Sequence, residues 1–465
     1  MLNISNLNPK LLNAEYAVRG RIVMRAQELA QQGKDIVYCN IGNPHLFAQK
    51  PLTYVREVLS LLEYPNLLKH DLGNLFHADS ISRAKFILEQ IPEGVGAYSA
   101  SAGIDFIRQA VADFIQRRDN IPAKANDIIL TDGASKAAQT VITAIIKKSN
   151  DGLMLPIPQY PMYSASLALS GGKSIGYYLD EENHWQLNEE ILFTSYQSAR
   201  SAKINPVAIV VINPGNPTGA VLSAENIKMI INFARKHNLA IIADEVYQEN
   251  IYTKTAKFHS FAKIMYEMAI HDVSLFSLHS MSKGFYGECG HRSGYLEVRN
   301  LPLDVFNQFI KLQSINLCAN VIGQLATYLM VTPPTPIDAS YSLYCQERDL
   351  ILHDLKQKSL ILGSEINKID GLSVNIPEGA MYAFVKIDLS NQLNPQLQTD
   401  LPIDEQYCLE LLEETGICVV PGSGFGQLPN SLHFRITFLP TYEQLINLTQ
   451  KLGQFHKNFV VKYNP

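Results

Sequence analysis

The stretch VAIVVINPGNPTGAVLSAENIKMIINFARKHNLAIIADEVYQE, residues 207–249, spells out one complete strand–helix–strand unit. VAIVVI (207–212) is β-branched and continuously apolar, the pattern of a strand buried on both faces. In NPGNPTG (213–219), proline and glycine force a tight, rigid turn at the strand's carboxyl end. SAENIKMIINFARKH (223–237) opens on a serine suited to an N-cap and then repeats apolar residues at helical spacing. AIIADEV (240–246) is a second buried strand. The turn and Asp244 therefore both fall at strand carboxyl ends, where open α/β sheets bind ligands.

The same alternation continues to the amino-terminal side. DIILTDG (127–133) reads as a buried strand running into the helical ASKAAQTVITAIIKK (134–148), and DGLMLPIP (151–158) is the next short strand. Repeating β-α-β units predict a mostly parallel sheet with helices on both faces. The ends of the chain differ. Residues 1–75 carry few strands. VTPPTPID (331–338) is a proline-rich joint, followed by a long helical stretch to about residue 368. Strands then appear in SVN (373–375) and MYAFVKID (381–388), a helix at 404–415, and strands in CVVPG (418–422) and HFRITFL (433–439). The expected division is a large α/β domain at 76–330 and a smaller α+β domain built from 1–75 with 331–465.

Composition narrows the function. The chain has 465 residues, 46% hydrophobic and 18% charged, with net charge -5 and an isoelectric point near 6.2. At ~150 residues per domain this allows two or three domains, and such a chain buries roughly three quarters of its unfolded surface. Disordered and collagen-like classes are excluded. Mild acidity argues against nucleic acid or an anionic membrane as the main partner. No apolar run approaches the ~18 residues of a spanning helix. Six scattered cysteines fit a reduced compartment better than a disulfide framework or a zinc site, so no metal is expected. The start lacks a secretory signal. Arg19, Arg21 and Arg25 are flanked by Glu15 and Glu28, which speaks against an organelle presequence, and a cytoplasmic location is expected.

Four segments carry possible chemistry. NPGNPTG presents Asn216 at a strand end; its plain reading is a connecting loop. In ADEVYQE (243–249), Asp244 follows four apolar residues and should be largely buried, so it needs a cation or hydrogen-bond donors; backbone N–H groups could also satisfy it. Tyr247 lies three residues on. In SLHSMSKGFYGECGHRSGY (277–295), Lys283 sits among small residues, with Ser280, Ser282 and Arg292 beside it. Desolvation or nearby cations lower a lysine's pKa and make it a nucleophile, and hydroxyls with an arginine make a phosphate cradle. The alternative is a surface-loop lysine. The turn DGAS (132–135) offers backbone N–H groups at a helix amino terminus, which suits a phosphate but is common in α/β loops. Two motifs fail in context. Ser280–x–x–Lys283 lacks the Lys-Thr-Gly triplet of the serine acylases, and PGSGFG (421–426) opens no helix and is not a dinucleotide fingerprint.

The order NPTG, DEVY, SxSK and a late FR resembles the pyridoxal-phosphate aminotransferases of the aspartate-aminotransferase fold. AEYAVRG, YCNIGNPH, PIPQYPMYSA, SKGFYGECG, LLEETGICVVPGSGFGQ and HFRITFLP are more similar still to alanine aminotransferases, over about residues 13–440. Because the likeness begins so near Met1, it leaves little room for a cleaved presequence. The resemblance implies a pyridoxal-phosphate-dependent transferase fold and a ping-pong exchange of an amino group between L-alanine and 2-oxoglutarate. It implies that Lys283 holds the cofactor as a Schiff base and later shuttles the proton, with Asp244 on the pyridine nitrogen. Asn216 and Tyr247 would bond the phenolic oxygen and Tyr160 would stack on the ring. Ser280, Arg292, Ala134, Ser135 and Ser282 would hold the phosphate, joined by Tyr98 from a partner subunit in a homodimer. Arg435 would fork onto the substrate α-carboxylate, and Gly42 would let the backbone approach that substrate. Arg19 and Arg21 are candidates for the distal carboxylate of 2-oxoglutarate. Departures from the alanine pattern at Ala100, Ala102, Lys136, Ala137 and Arg21 touch substrate preference rather than cofactor contacts. The rivals are a broad-specificity transaminase or an aminocyclopropane-carboxylate-synthase-like lyase on this fold, and a silent cofactor-binding regulator. For the regulator, residues 1–40 are too short and too weakly basic to form a DNA-binding module.

Overall fold

The computed structural model describes residues 2–16, 18, 20–389 and 401–463. Helix Arg21–Gln31 turns Ile22, Ala26 and Leu29 inward, and the chain then makes only a two-residue strand, β1 (Val37–Tyr38), before the helix Thr53–Glu63. Seven strands follow: β2 (Ile128–Thr131), β3 (Asp151–Ile157), β4 (Lys173–Tyr178), β5 (Asn205–Ile212), β6 (Ala240–Asp244), β7 (Leu275–Ser280) and β8 (Gly294–Arg299). They form one sheet in the order β2-β8-β7-β6-β5-β3-β4. Every neighbouring pair is parallel except the two that β8 makes, so β8 is the one reversed strand of the sheet.

The continuous apolar reading of residues 207–212 has a direct cause. Ala208, Val210 and Ile212 pack on one face, with the helices Ala134–Ile145 and Met162–Ser170. Ile209 and Val211 pack on the other, with helix Ala224–Lys236. Both faces are covered, so no position on β5 is left for a polar alternation. Ser223 caps that helix as expected, its Oγ accepting from the Asn226 N–H at 3.1 Å.

After the helix Tyr341–Ile366, the described residues form five short strands: β9 (Leu372–Ser373), β10 (Tyr382–Ile387), β11 (Ile417–Cys418), β12 (Val420–Pro421) and β13 (His433–Thr437). The order β12-β13-β10-β9 makes an antiparallel sheet. The CVVPG run is two strands rather than one, because β11 leaves that sheet to pair in parallel with β1. Ile22, Ala26, Leu29 and Cys39 share a core with this carboxyl-terminal sheet and the helices Ile403–Thr415 and Tyr442–Tyr463. The segment Leu52 to Leu72 does not: its apolar side chains pack with Ile107, Leu130, Leu325 and Leu329 of the larger unit. Among the described residues no helix is long and apolar enough to cross a membrane, and no His/Cys/Asp/Glu cluster could hold a metal ion.

Candidate active site

The carboxyl ends of β5, β6 and β7 open into a cavity of about 440 Å³. Its lining includes Gly42, Ala134, Ser135, Tyr160, Asn216, Asp244, Tyr247, Ser280, Ser282, Lys283, Arg292 and Arg435. Of the fifteen site residues expected from sequence, these twelve thus meet in one place. Tyr98 does not line it and is 79% exposed.

Asp244 ends β6 and is 6% exposed. The Tyr163 hydroxyl donates to its Oδ2 at 2.7 Å and the Val246 N–H to Oδ1 at 3.4 Å. Burial outweighs these bonds and the nearby Lys283 charge, and pushes the carboxyl up to about 6. An acid so placed gains from a cationic partner in the cavity. Lys283 follows β7; its Nζ donates to the Gly42 carbonyl at 2.7 Å and lies 5.9 Å from the Tyr247 ring centroid. The absence of a side chain at Gly42 is a packing requirement: a Cβ there would meet Tyr382 Cζ at 2.8 Å and Lys283 Nζ at 3.3 Å. Gly42 also donates its N–H to the Tyr382 hydroxyl at 3.0 Å. Burial raises the Tyr247 phenol well above its usual value, reinforced by Tyr382 beside it. Tyr382 goes the other way: burial alone would raise it, but Lys283, Arg435 and a bond with Tyr247 lower it.

At the other end of the cavity, Gly133 at φ +81° precedes helix Ala134–Ile145. Ala134 and Ser135 form the first turn of that helix, whose free N–H groups favour an anion. Arg292, itself left-handed at φ +48°, donates to the carbonyls of Asp132 (3.1 Å) and Cys289 (3.0 Å). Glu288 anchors this loop by taking two bonds from Arg56, at 3.0 and 2.8 Å. Deeper in, Arg435 is 1% exposed. It donates to Asn216 Oδ1 at 3.0 Å and to the Asn40 carbonyl, and lies between the rings of Tyr382 (4.0 Å) and Phe425 (4.7 Å). Its Nε has no partner among the described residues. A buried guanidinium with only neutral acceptors and an unused donor is a site for an anion.

The structure also supplies residues that the motifs did not reveal. Tyr163 lies one helical turn beyond Tyr160 in the same PQYPMY, a spacing that could have flagged it. Tyr382 and Tyr16 had no such signal: Tyr382 arrives by strand pairing, and the Tyr16 hydroxyl reaches Tyr160 at 2.7 Å from far away in sequence. One expectation fails. Arg21 is 59% exposed beside Glu405 at 3.9 Å and does not line the cavity, because its helix turns the opposite face inward. Arg19 lies outside the described residues.

An anion cradle at a helix start, a lysine amine, and a raised acid beneath one cavity fit a phosphorylated pyridine aldehyde. Residues 74–452 match the family model described as "Aminotransferase class I and II". The chain belongs to the class I and II aminotransferases. Members of this family use pyridoxal phosphate to move amino groups between amino acids and 2-oxo acids, and this chain is a transaminase of that kind. It is 46% identical to a protein named probable mitochondrial alanine aminotransferase from Dictyostelium discoideum, over 99% of this chain and 90% of the relative. It is 43% identical to glutamate–glyoxylate aminotransferase 1 of Arabidopsis thaliana, over 100% and 97%. Among solved structures it resembles the alanine aminotransferase of Pyrococcus furiosus, with TM-score 0.79 and 26% identity over 97% and 100% of the two chains.

Proposed function

We propose that this aminotransferase exchanges the amino group between L-alanine and 2-oxoglutarate, giving pyruvate and L-glutamate. The 46% identity to an alanine aminotransferase over 99% of the chain carries the choice of substrates, and Arg435 supports it as an amino-acid site: a buried guanidinium without an acidic partner among the described residues, in the same cavity as Lys283 and Asp244. A substrate α-carboxylate supplies the missing anion, a pairing worth ~1.5–3 kcal/mol. Pyridoxal phosphate, when bound, supplies a conjugated ring that takes up the electron pair left as the substrate Cα–H bond breaks. Asp244, held by the Tyr163 hydroxyl, would keep a proton at the ring nitrogen. Lys283 Nζ would hold the cofactor and would carry the proton at the substrate Cα. Asn216 and Tyr247 would bond the ring oxygen, and Tyr160 would pack against the ring. Ser280, Ser282, Arg292 and the Ala134–Ser135 turn hold the phosphate. Gly42 keeps space for Lys283 and Tyr382.

Purified protein with alanine and 2-oxoglutarate should release pyruvate. No pyruvate overturns the alanine assignment. The likeness to a glutamate–glyoxylate aminotransferase favours a second reading, glutamate with glyoxylate, which an amino-donor and oxo-acid screen separates from the first.

We also propose a homodimer with shared sites, which the exposed Tyr98 supports, and a two-unit division of the chain. The division expected from sequence, 76–330 against 1–75 with 331–465, is supported by the separate sheets. The packing of Leu52 to Leu72 favours giving that stretch to the larger unit. All six thiols are free, which suits the proposed cytoplasm; the mitochondrial names of several relatives make cell fractionation the test.

A further inference from the structure

A second group of buried polar side chains stands behind Arg435, outside the cavity lining. His433 precedes Arg435 by two residues on β13, so both side chains leave the same face of the strand. On the paired strand, Phe384 is opposite Arg435 and Lys386 opposite His433. The His433 ring is 2% exposed and lies parallel to Phe384, with centroids 4.6 Å apart and planes at 6°. Phe384 meets Phe425 edge-on at 5.9 Å, and Phe425 is one of the two rings enclosing Arg435. His433 therefore backs the aromatic wall against which the guanidinium rests.

Both ring nitrogens of His433 are engaged. Nδ1 faces Gln427 Oε1 at 3.2 Å, and the Gln427 amide nitrogen donates to Asp404 at 3.3 Å. Nε2 faces the two carboxylate oxygens of Glu181 at 3.1 and 3.2 Å. Glu181 belongs to the short turn Glu181–Asn183 that follows β4, the edge strand of the large sheet. Lys386 Nζ adds contacts to Glu181 at 3.6 Å and Glu182 at 3.3 Å. The contact is thus a polar bridge between the edge of one sheet and the strand of the other that carries Arg435.

We propose that His433 and Glu181 are positioning residues for substrate carboxylate binding: their bridge fixes β13 and the Phe384–Phe425 wall, and through them the plane of the Arg435 guanidinium. This rests on the reading of Arg435 as the α-carboxylate site. Arg435 has only two described hydrogen bonds and an idle Nε, so the flanking rings set its plane. A planar fork loses a bidentate partner when tilted. Movement of the wall is therefore felt at substrate binding, whereas Lys283 follows β7 and Asp244 ends β6.

The test uses the holoenzyme with His433→Phe, which keeps a ring on Phe384 but loses both polar contacts, Glu181→Gln, and Arg435→Lys as reference. For His433→Phe and Glu181→Gln, KM should rise about tenfold for both the amino acid and the oxo acid, the size of one charge-assisted hydrogen bond. Both substrates shift because both carry an α-carboxylate; kcat should stay within about twofold and cofactor affinity should not change. Arg435→Lys should raise both KM values further. If it does not, the α-carboxylate reading fails and this inference with it. Unchanged KM in the two bridge variants beside an impaired Arg435→Lys overturns the bridge alone, as does a joint fall of kcat and melting temperature at parental KM. Glu181→Gln preserves the side-chain shape and carries the test if His433→Phe does not fold. A double variant no worse than either single supports one shared bridge.

Discussion

Two side chains carry most of the proposed chemistry, and each is held by contacts a substitution can isolate. Lys283 reaches the Gly42 carbonyl across 241 positions of sequence. Lys283→Ala removes the amine without disturbing a core cluster, so the variant should fold normally and lack the visible absorption band of the lysine-held cofactor. A spectrum in which that band persists would assign the anchor elsewhere. Asp244 makes a pH argument. Its carboxyl is raised from 3.8 to about 6 by burial. Between those values the folded apoprotein keeps a proton that the unfolded chain releases. Apoprotein stability therefore falls as pH rises through this window, and the penalty is complete above it. Asp244→Asn should raise the melting temperature of the apoprotein above pH 6 and leave it unchanged near pH 3. In the holoenzyme the same substitution should cost on the order of a hundredfold in kcat. Calorimetry and steady-state rates check the two halves, and a variant with parental turnover would remove Asp244 from the proposed role.

At the level of elements, the site is made where strands stop. β5, β6 and β7 are parallel neighbours, so Asn216, Asp244 and Lys283 emerge at the same edge. The joint between β2 and helix Ala134–Ile145 is a sharper constraint. Gly133 sits at φ +81° and ψ 166°, a region that essentially only glycine occupies. An added Cβ would also stand 2.7 Å from Arg292 Nη2. Gly133→Ala should cost about 1–3 kcal/mol in urea unfolding, and should weaken pyridoxal-phosphate binding to the apoprotein by displacing Arg292 and the first helical turn. Unchanged cofactor affinity would separate this turn from phosphate binding.

For the whole molecule, the proposed dimer has a measurable consequence. Besides Tyr98, the chain exposes Leu303, Ile315 and Leu317, at 73%, 75% and 51%. Exposed apolar side chains of this kind are what a second copy can cover. Sedimentation should give about twice the chain mass of 51.9 kDa, and Tyr98→Phe should loosen the cofactor in the dimer. A monomer with full cofactor affinity would exclude the shared site.

The amino-acid sequence determined whatever is encoded locally: the buried strands, the Ser223 cap, and the turns that place Asn216, Asp244, Lys283 and Arg292 at strand ends. Such patterns are legible because apolar periodicity and turn chemistry act over a few residues. Tertiary structure alone decided which distant side chains meet. The Tyr163 hydroxyl on Asp244, Tyr382 against Gly42, the rings around Arg435, the His433–Glu181 bridge and the allegiance of Leu52 to Leu72 all belong to this class. So does the turning of Arg21 toward Glu405. Periodicity says which face of an element is apolar, but not which other face covers it. That choice is made only when the whole chain packs and every buried polar group finds its partner.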